Sequence, residues 1–106
     1  MFVILWEFEV KPGYEERFER VYGAQGAWVQ FFRSDPRYRG AQLLRDPSRT
    51  LFYFTLDFWD SDDAFQKFKN LHSENYEKLD RATEGLTVRE RLIGSFQANL
   101  PSASSS

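Results

Sequence analysis

The residues best suited to proton chemistry are His72 and Tyr76, which lie four positions apart. Histidine is the side chain that ordinarily titrates nearest to neutral pH, and His72 is the only histidine in the chain. A helix would place both side chains on one face. There His72 could take a proton from a phenol or a 1,3-dicarbonyl compound, with Tyr76 as its hydrogen-bond partner. The alternative is a structural histidine satisfied by a backbone carbonyl or by Tyr76.

Aromatic residues are the second candidate feature, because they form 18% of the 106 residues. Aromatic rings can line a pocket for a flat ligand or fill a core, and both alternatives stay open here. Tyr38, in a predicted loop, would close the mouth of such a pocket or anchor the loop. The other candidate wall residues are Trp6, Phe8, Trp28, Phe32, Phe54, Phe65 and Phe68.

Composition excludes several classes of function. The net charge of −2 argues against a nucleic-acid partner, which requires a basic surface. No cysteine is present, and one histidine with scattered carboxylates predicts no metal site. No apolar run approaches the roughly 20 residues of a membrane span. The apolar N-terminus is predicted to be a strand and not a signal peptide, so we expect a cytoplasmic protein that does not bind membranes.

Hydrophobic periodicity predicts the order strand, helix, strand, strand, helix, strand. The first helical region, after Gly13, is either one kinked helix to about Arg33 or two short helices, since Gly23 and Gly26 weaken its middle. Ser61 is the predicted N-cap of the second helix, which should run to about Gly85. The predicted strands are residues 2–10, 41–46, 51–59 and 89–97.

The strand over residues 51–59 is predicted to lie in the centre of the sheet, because one of its faces is wholly apolar and the other is mixed, which favours a strand covered on both sides. The face predicted to be buried against the helices carries Phe52, Phe54, Leu56 and Phe58. The first strand should bury its even-numbered residues, Phe2, Ile4, Trp6, Phe8 and Val10. The remaining residues of the two strands would then form the second face of the sheet.

These elements predict an α+β, ferredoxin-like βαββαβ fold: a four-stranded antiparallel sheet with two helices on one face. We expect a homodimer through the other face, with Glu7, Glu9 and Asp57 near Arg45, Arg89 or Arg91 of the second copy. A monomer is the alternative. One domain should cover residues 1–97, followed by a disordered tail at 98–106. The predicted dimer face comprises Val3, Leu5, Glu7, Glu9, Tyr53, Thr55, Asp57, Trp59, Arg91 and Ile93.

Three groups of residues resemble the antibiotic biosynthesis monooxygenase family of dimeric α+β barrel proteins, over about residues 1–97. The most specific is Phe58-Trp59-Asp60-Ser61 followed by Ala64-Phe65. The others are Val10-Lys11-Pro12-Gly13 and the Asp35-Pro36 turn with Tyr38-Arg39-Gly40 and Leu43-Leu44-Arg45-Asp46. The resemblance implies a pocket between the sheet and its own helices, and dimers that form by sheet-to-sheet packing.

Members of this family that oxidise aromatic polyketides use neither metal nor flavin, so the resemblance implies no cofactor. Trp59 matches the Trp that these members place at the end of the third strand, which makes it a third candidate catalytic residue. Thr55 and Phe65 replace their Asn and Tyr. Haem-degrading members have an Asn, a Trp and a ligating His where this chain has Trp6, Phe68 and Lys78, so haem degradation is not expected.

Two functions follow from these features. The first is a cofactor-independent monooxygenase, or a related small-molecule enzyme, acting on an aromatic or polyketide-like substrate. The alternative is a non-catalytic ligand-binding or structural homodimer of the same fold. The sequence does not predict the substrate or the pathway.

Overall fold

A computed structural model describes residues 1–99 of the chain. One antiparallel sheet has the strand order β2-β3-β1-β4. This confirms the predicted α+β ferredoxin-like fold; the predicted tail at 98–106 lies almost wholly outside the described residues. The elements are β1 (Phe2–Val10), α1 (Glu15–Tyr22), α2 (Ala27–Phe32), β2 (Tyr38–Arg45), β3 (Phe52–Trp59), α3 (Asp62–Leu71), α4 (Ser73–Thr83), a 3-10 turn (Glu84–Leu86) and β4 (Thr87–Gln97).

Both predicted helical regions consist of two helices. In the first region, a side chain at Gly26 would collide with the backbone oxygen of Val21, because its Cβ would lie 2.1 Å away. The second region was predicted to be a single helix, and this is wrong at His72, where the backbone leaves the helical conformation (φ −113°, ψ 30°). The helical spacing of apolar residues continues across the break. The helical hydrogen bond from Tyr76 N to the carbonyl oxygen of His72 is also kept. Ser61 caps α3 as predicted, accepting a hydrogen bond from Ala64 N at 3.0 Å.

The predicted orientation of β3 is wrong. In an antiparallel pair, residues directly opposite one another share a face of the sheet, and the even-numbered residues of β1 lie opposite the odd-numbered residues of β3. Trp59 and Tyr53 are therefore buried against the helices, with 0% and 1% of their surface exposed. Phe54 lies opposite Glu7, on the other face. The face that the helices cover also carries Thr55 and Asp57 and is the less apolar of the two, so hydrophobic alternation alone favours the wrong face of β3.

The face of the sheet without helices, which we call the open face, is more apolar than predicted. Tyr53, Thr55, Asp57 and Trp59 do not belong to it. Phe96 on β4 lies opposite Val3, and Leu44 on β2 lies opposite Phe54. Its apolar residues are Val3, Leu5, Leu44, Phe52, Phe54, Leu56, Phe58 and Phe96.

Charged residues of the open face pair within the chain. The Glu7 carboxylate lies 3.2 Å from both Arg49 and Arg91, and Glu9 lies 3.8 Å from Arg89. Burial raises the pKa of Glu7, but the hydrogen bonds and charges of the two arginines outweigh it and lower the pKa overall. Glu7 and Glu9 are therefore already paired with arginines of their own chain, and pairing with arginines of a second copy stays a prediction.

The core between the sheet and the helices is built mainly from aromatic rings. Ring centroids of Phe18 and Tyr22 lie 4.4 Å apart, and Phe18 and Tyr53 lie 4.9 Å apart. At the other end, Trp59 lies 5.4 Å from Phe68 and 5.5 Å from Phe32. These contacts fill both ends of the helix-covered face. The space that remains lies between them, beside Trp6.

Candidate functional site

A cavity of about 60 Å³ lies between the helix-covered face of the sheet and the helices. We call it the acidic cavity, because three of its lining residues carry carboxyl groups and none is Lys, Arg or His. Most of its other walls are aromatic. The lining residues are Trp6, Phe8, Tyr22, Trp28, Val29, Phe32, Ala41, Thr55, Asp57, Tyr76, Asp80 and Glu90.

Asp57 is the carboxyl group on the sheet side of this cavity. The strand register places it between Ile4 on β1 and Ala41 on β2, and the side chain is partly buried. Burial raises the pKa of Asp57 to about 7, and no hydrogen bond or opposite charge among the described residues offsets this effect. A carboxyl group in this state can both accept and return a proton near neutral pH.

Asp80 on α4 and Glu90 on β4 are exposed residues that border the cavity. Partial burial raises the pKa of Glu90, and the negative charges of Asp80 and Glu84 raise it further. The border of the cavity therefore carries like charges without a cation among its lining residues. Such a border favours neutral or cationic ligands over anions.

Two aromatic walls of the acidic cavity are held by one buried hydroxyl group. Tyr22 Oη and Trp28 Nε1 donate hydrogen bonds to Thr83 Oγ1 at 3.3 and 3.4 Å. The Thr83 hydroxyl in turn donates to the carbonyl oxygen of Leu79 at 3.0 Å. Because both polar tips are satisfied inside the protein, the rings of Tyr22 and Trp28 have defined orientations.

A second cavity, of about 160 Å³, lies on the other side of Trp6 and Tyr76. These two residues line both cavities and form the wall between them. Lys69 borders the second cavity, and its ammonium nitrogen lies 4.9 Å from the centre of the Tyr76 ring. The other lining residues are Phe2, Ile4, Asp62, Phe65, Gln66, Leu92 and Ser95.

The three candidate catalytic residues occupy different environments. Tyr76 lines both cavities, and burial followed by the charges of Asp80, Asp57 and Glu90 raises its pKa to about 12. His72 lines neither cavity; its ring packs against Phe68, with centroids 4.5 Å apart. Trp59 is fully buried outside both cavities, and its Nε1 has no hydrogen-bond partner among residues 1–99.

The candidate wall residues divide into four groups. Trp6, Phe8, Trp28 and Phe32 line the acidic cavity. Phe65 lines the second cavity, together with Trp6. Tyr38 and Phe68 pack in the aromatic core instead, on either side of Trp59. Phe54 is turned away from both cavities, because it lies on the open face.

Sequence reasoning missed Asp57 as a site residue. The inverted orientation of β3 assigned it to the dimer face, where a carboxylate needs no chemical role. The signal that could have identified it is its position, since it is the one ionisable acid in a strand of aromatic, aliphatic and hydroxyl side chains. A carboxyl group in such a strand lowers the free energy of unfolding unless it is paired with another group, so an unpaired one indicates a functional role.

Two structural features are absent from the described residues. Within residues 1–99, no three histidine, aspartate or glutamate side chains are grouped so that they could hold a metal ion. No helix in the same range has the length and apolar character needed to cross a membrane.

Solved structures with the same fold include two with a stated activity or ligand. The fold resembles a point variant of SnoaB, a cofactor-independent oxygenase from Streptomyces nogalater, with a TM-score of 0.70 and 21% identity over 94% of each chain. It resembles a variant of MhuD that has two manganese protoporphyrin IX molecules bound per active site, with a TM-score of 0.73 and 24% identity over 96% of this chain and 98% of that one. A third structure, from Deinococcus radiodurans and provisionally assigned to the antibiotic biosynthesis monooxygenases, has a TM-score of 0.71 and 12% identity over 95% of each chain. At these identities the likeness establishes the fold alone.

Sequence comparison identifies the family. No curated protein matches the sequence. The family model for antibiotic biosynthesis monooxygenases matches residues 1–78, which is most of the chain. The chain therefore belongs to the antibiotic biosynthesis monooxygenase family.

Proposed function

We propose that this protein is a cofactor-independent monooxygenase that acts on an aromatic or polyketide-like compound bound in the acidic cavity. The observation that carries the proposal is the cavity itself, which has walls of Trp6, Trp28 and Tyr76 beside a carboxyl group. Family membership and the fold shared with the oxygenase SnoaB support the same class of reaction. Flat rings stack favourably between such side chains.

The reaction proposed is the conversion of an activated methylene group to a carbonyl group. The substrate loses a proton and becomes a carbanion that its aromatic system stabilises. The carbanion reduces molecular oxygen and combines with it to give a peroxide, which loses water. The sum is one methylene compound and one O2 giving one ketone and one H2O, so the substrate supplies all the electrons. The protein binds the substrate and handles its proton.

We propose that Trp6 and Tyr76 set the size of the compound that can bind. They line both the cavity of about 60 Å³ and the cavity of about 160 Å³, and the proposal requires a change in their rotamers that joins the two spaces. Both side chains are partly buried. We propose that a substrate of two or three fused rings displaces the side chains of Trp6 and Tyr76. The methylene group that loses its proton then lies in the acidic cavity.

We propose that haem degradation is not the function of this chain. The ligand of the MhuD structure is a porphyrin, and a porphyrin with propionates would require an axial ligand and cations. His72 lies outside both cavities, against Phe31 and Phe68. The acidic cavity is lined by Asp57, Asp80 and Glu90 without a lining cation, which disfavours an anionic porphyrin there.

We also propose that two copies associate through the open face. Leu44 and Phe96 remain 45% and 50% exposed there, beside partly buried Phe52, Phe54 and Leu56. Such a contiguous apolar surface is uncommon on a monomer. Packing sheet on sheet would bury it on both copies at once. The cavities lie on the opposite side of the sheet and stay accessible.

Oxygen consumption with anthrone tests the proposed function. The protein is treated with a chelator and compared with His72→Ala, which removes the imidazole group of the alternative candidate base. The proposal expects oxygen uptake without added metal or flavin, one ketone formed per O2 consumed, and a rate for His72→Ala within about threefold of wild type because His72 does not line a cavity. Absence of uptake with anthrone and related fused-ring phenols would favour the non-catalytic ligand-binding alternative.

A further inference from the structure

We propose that Asp57 is the catalytic base: its carboxylate takes the proton from a neutral carbon acid or phenol in the acidic cavity and later returns that proton to the peroxide. This inference rests on the proposed function, because it assigns the proton transfer that starts the reaction. Nothing in the sequence motifs of the family points to this position, since the matched residue on the same strand is Trp59.

The position of Asp57 gives its carboxyl group access to a ligand. The side chain lines the acidic cavity, and its neighbours across the strands, Ile4 and Ala41, offer it no hydrogen bond. No arginine or lysine pairs with it among the described residues, in contrast to Glu7 on the open face. An unpaired, partly buried carboxylate is costly to keep. Its lone pairs are free for a bound substrate.

The state of the carboxyl group suits a base. Burial raises the pKa of Asp57 to about 7, so a substantial fraction is ionised at neutral pH and its affinity for a proton is far higher than that of an exposed aspartate. General bases work best when their pKa lies near the working pH. The proton acquired by Asp57 is then also available for return to the peroxide.

The other titratable groups around the cavity are less suited to this role. Burial raises the pKa of Tyr22, and that of Tyr76 to about 12, so these hydroxyls act as hydrogen-bond donors near neutral pH. The charge of Asp57 contributes to the shifts of both Tyr38 and Tyr76, which places the three groups in one electrostatic environment. Asp80 and Glu90 are exposed at the border.

In the proposed reaction, Asp57 both accepts the substrate proton and returns it. Its carboxylate accepts H⁺ from the methylene carbon, so the C–H bond breaks and the electron pair stays on the substrate. Oxygen adds to that carbon as the electrons move to O2, which gives a peroxide anion. The peroxide takes the proton from the Asp57 carboxylic acid. The Asp57 carboxylate then accepts the second C–H proton, the C–H electron pair forms the C=O bond, and the O–O bond breaks to release hydroxide, which takes that proton from Asp57 and becomes water.

Hydrogen exchange without oxygen tests the assignment separately from the oxygenase activity. Anthrone is incubated anaerobically in D2O with wild type, Asp57→Asn or Asp63→Asn, and loss of the methylene proton signal is followed by NMR. Asp63 is an exposed aspartate on α3 and provides a matched control. We expect wild type and Asp63→Asn to accelerate exchange equally, and Asp57→Asn to lose at least about 100-fold of that acceleration. Circular dichroism verifies that all three proteins are folded.

The outcomes separate the two proposals. Exchange that depends on Asp57 but is not accompanied by oxygen uptake in air would support the base and overturn the oxygenase. Oxygen uptake with equal exchange rates in wild type and Asp57→Asn would support the oxygenase and overturn the base. Failure of the wild-type protein to accelerate exchange would also overturn the assignment of Asp57.

Discussion

Asp57 lies directly opposite Ile4 in the β1–β3 ladder, so a carboxyl group shares its part of the sheet with an aliphatic side chain that is only 5% exposed. This pairing sets the two properties on which the account depends. It holds the carboxyl group on the helix-covered face, beside the aromatic walls of the acidic cavity. It also leaves that group without a polar partner, so protonation of Asp57 is coupled to the stability of the fold.

The contribution of Asp57 to the free energy of unfolding is expected to fall as the pH rises from about 4 to about 7. The native pKa of Asp57 is raised from 3.8 to about 7, so the folded state binds the proton more tightly than the unfolded chain does in this range. Asp57→Asn should remove this dependence. Urea unfolding at about pH 5 and about pH 8 should show a variant that gains relative to wild type at the higher pH. Equal differences at the two pH values would contradict the raised pKa.

Thr83 is expected to stabilise both the fold and the walls of the acidic cavity. Thr83→Val keeps the shape of the side chain but leaves Tyr22 Oη and Trp28 Nε1 without their common acceptor. The expected cost is about 1–3 kcal/mol in the free energy of unfolding. Thr83→Ser retains the hydroxyl and serves as the control. A Val variant no less stable than the Ser variant would show that these hydrogen bonds do not stabilise the protein.

The oligomeric state should depend on the open face. Phe54→Lys places a charge at its centre, opposite Glu7 and Leu44. Light scattering should give about twice the 12.6 kDa chain mass for wild type and about one chain mass for the variant. Leu71→Lys on α3 is the control, because Leu71 is 79% exposed on the helical side. A monomeric wild-type protein at micromolar concentration would contradict the proposed dimer.

Ligand charge should decide affinity for the acidic cavity. Asp57, Asp80 and Glu90 are not balanced by a lining cation, so an added carboxylate on the ligand would meet like charges. Quenching of tryptophan fluorescence should show naphthoate binding at least about 10-fold more weakly than naphthol, which corresponds to about 1.4 kcal/mol. Glu90→Gln should narrow this difference. Tighter binding of naphthoate than of naphthol would be inconsistent with the cavity described.

Local sequence patterns were sufficient for the order of the elements and for the helix cap at Ser61. The orientation of β3 was beyond them, because the uniformly apolar face lies away from the helices and the face with Thr55 and Asp57 lies against them. Only pairing with β1, a contact between distant parts of the chain, decides which face the helices cover.

The same limit applied to the site. Trp6, Trp28 and Tyr76 were predicted as site residues from residue type and spacing, and all three line the acidic cavity. His72 has a suitable side chain, yet the break between α3 and α4 places it against Phe31 and Phe68, outside both cavities. Asp57 could be recognised only once the strand register had placed its carboxyl group among aromatic rings.

The most direct test of the account is the pH dependence of kcat/KM for oxygen uptake with anthrone, in wild type and Asp57→Asn. We expect the wild-type value to rise with pH, to level off above a pKa of about 7, and to exceed that of the variant by at least about 100-fold on the plateau. The variant should show no inflection at that pKa. A wild-type profile without this inflection, or one that Asp57→Asn reproduces, would contradict the central claim.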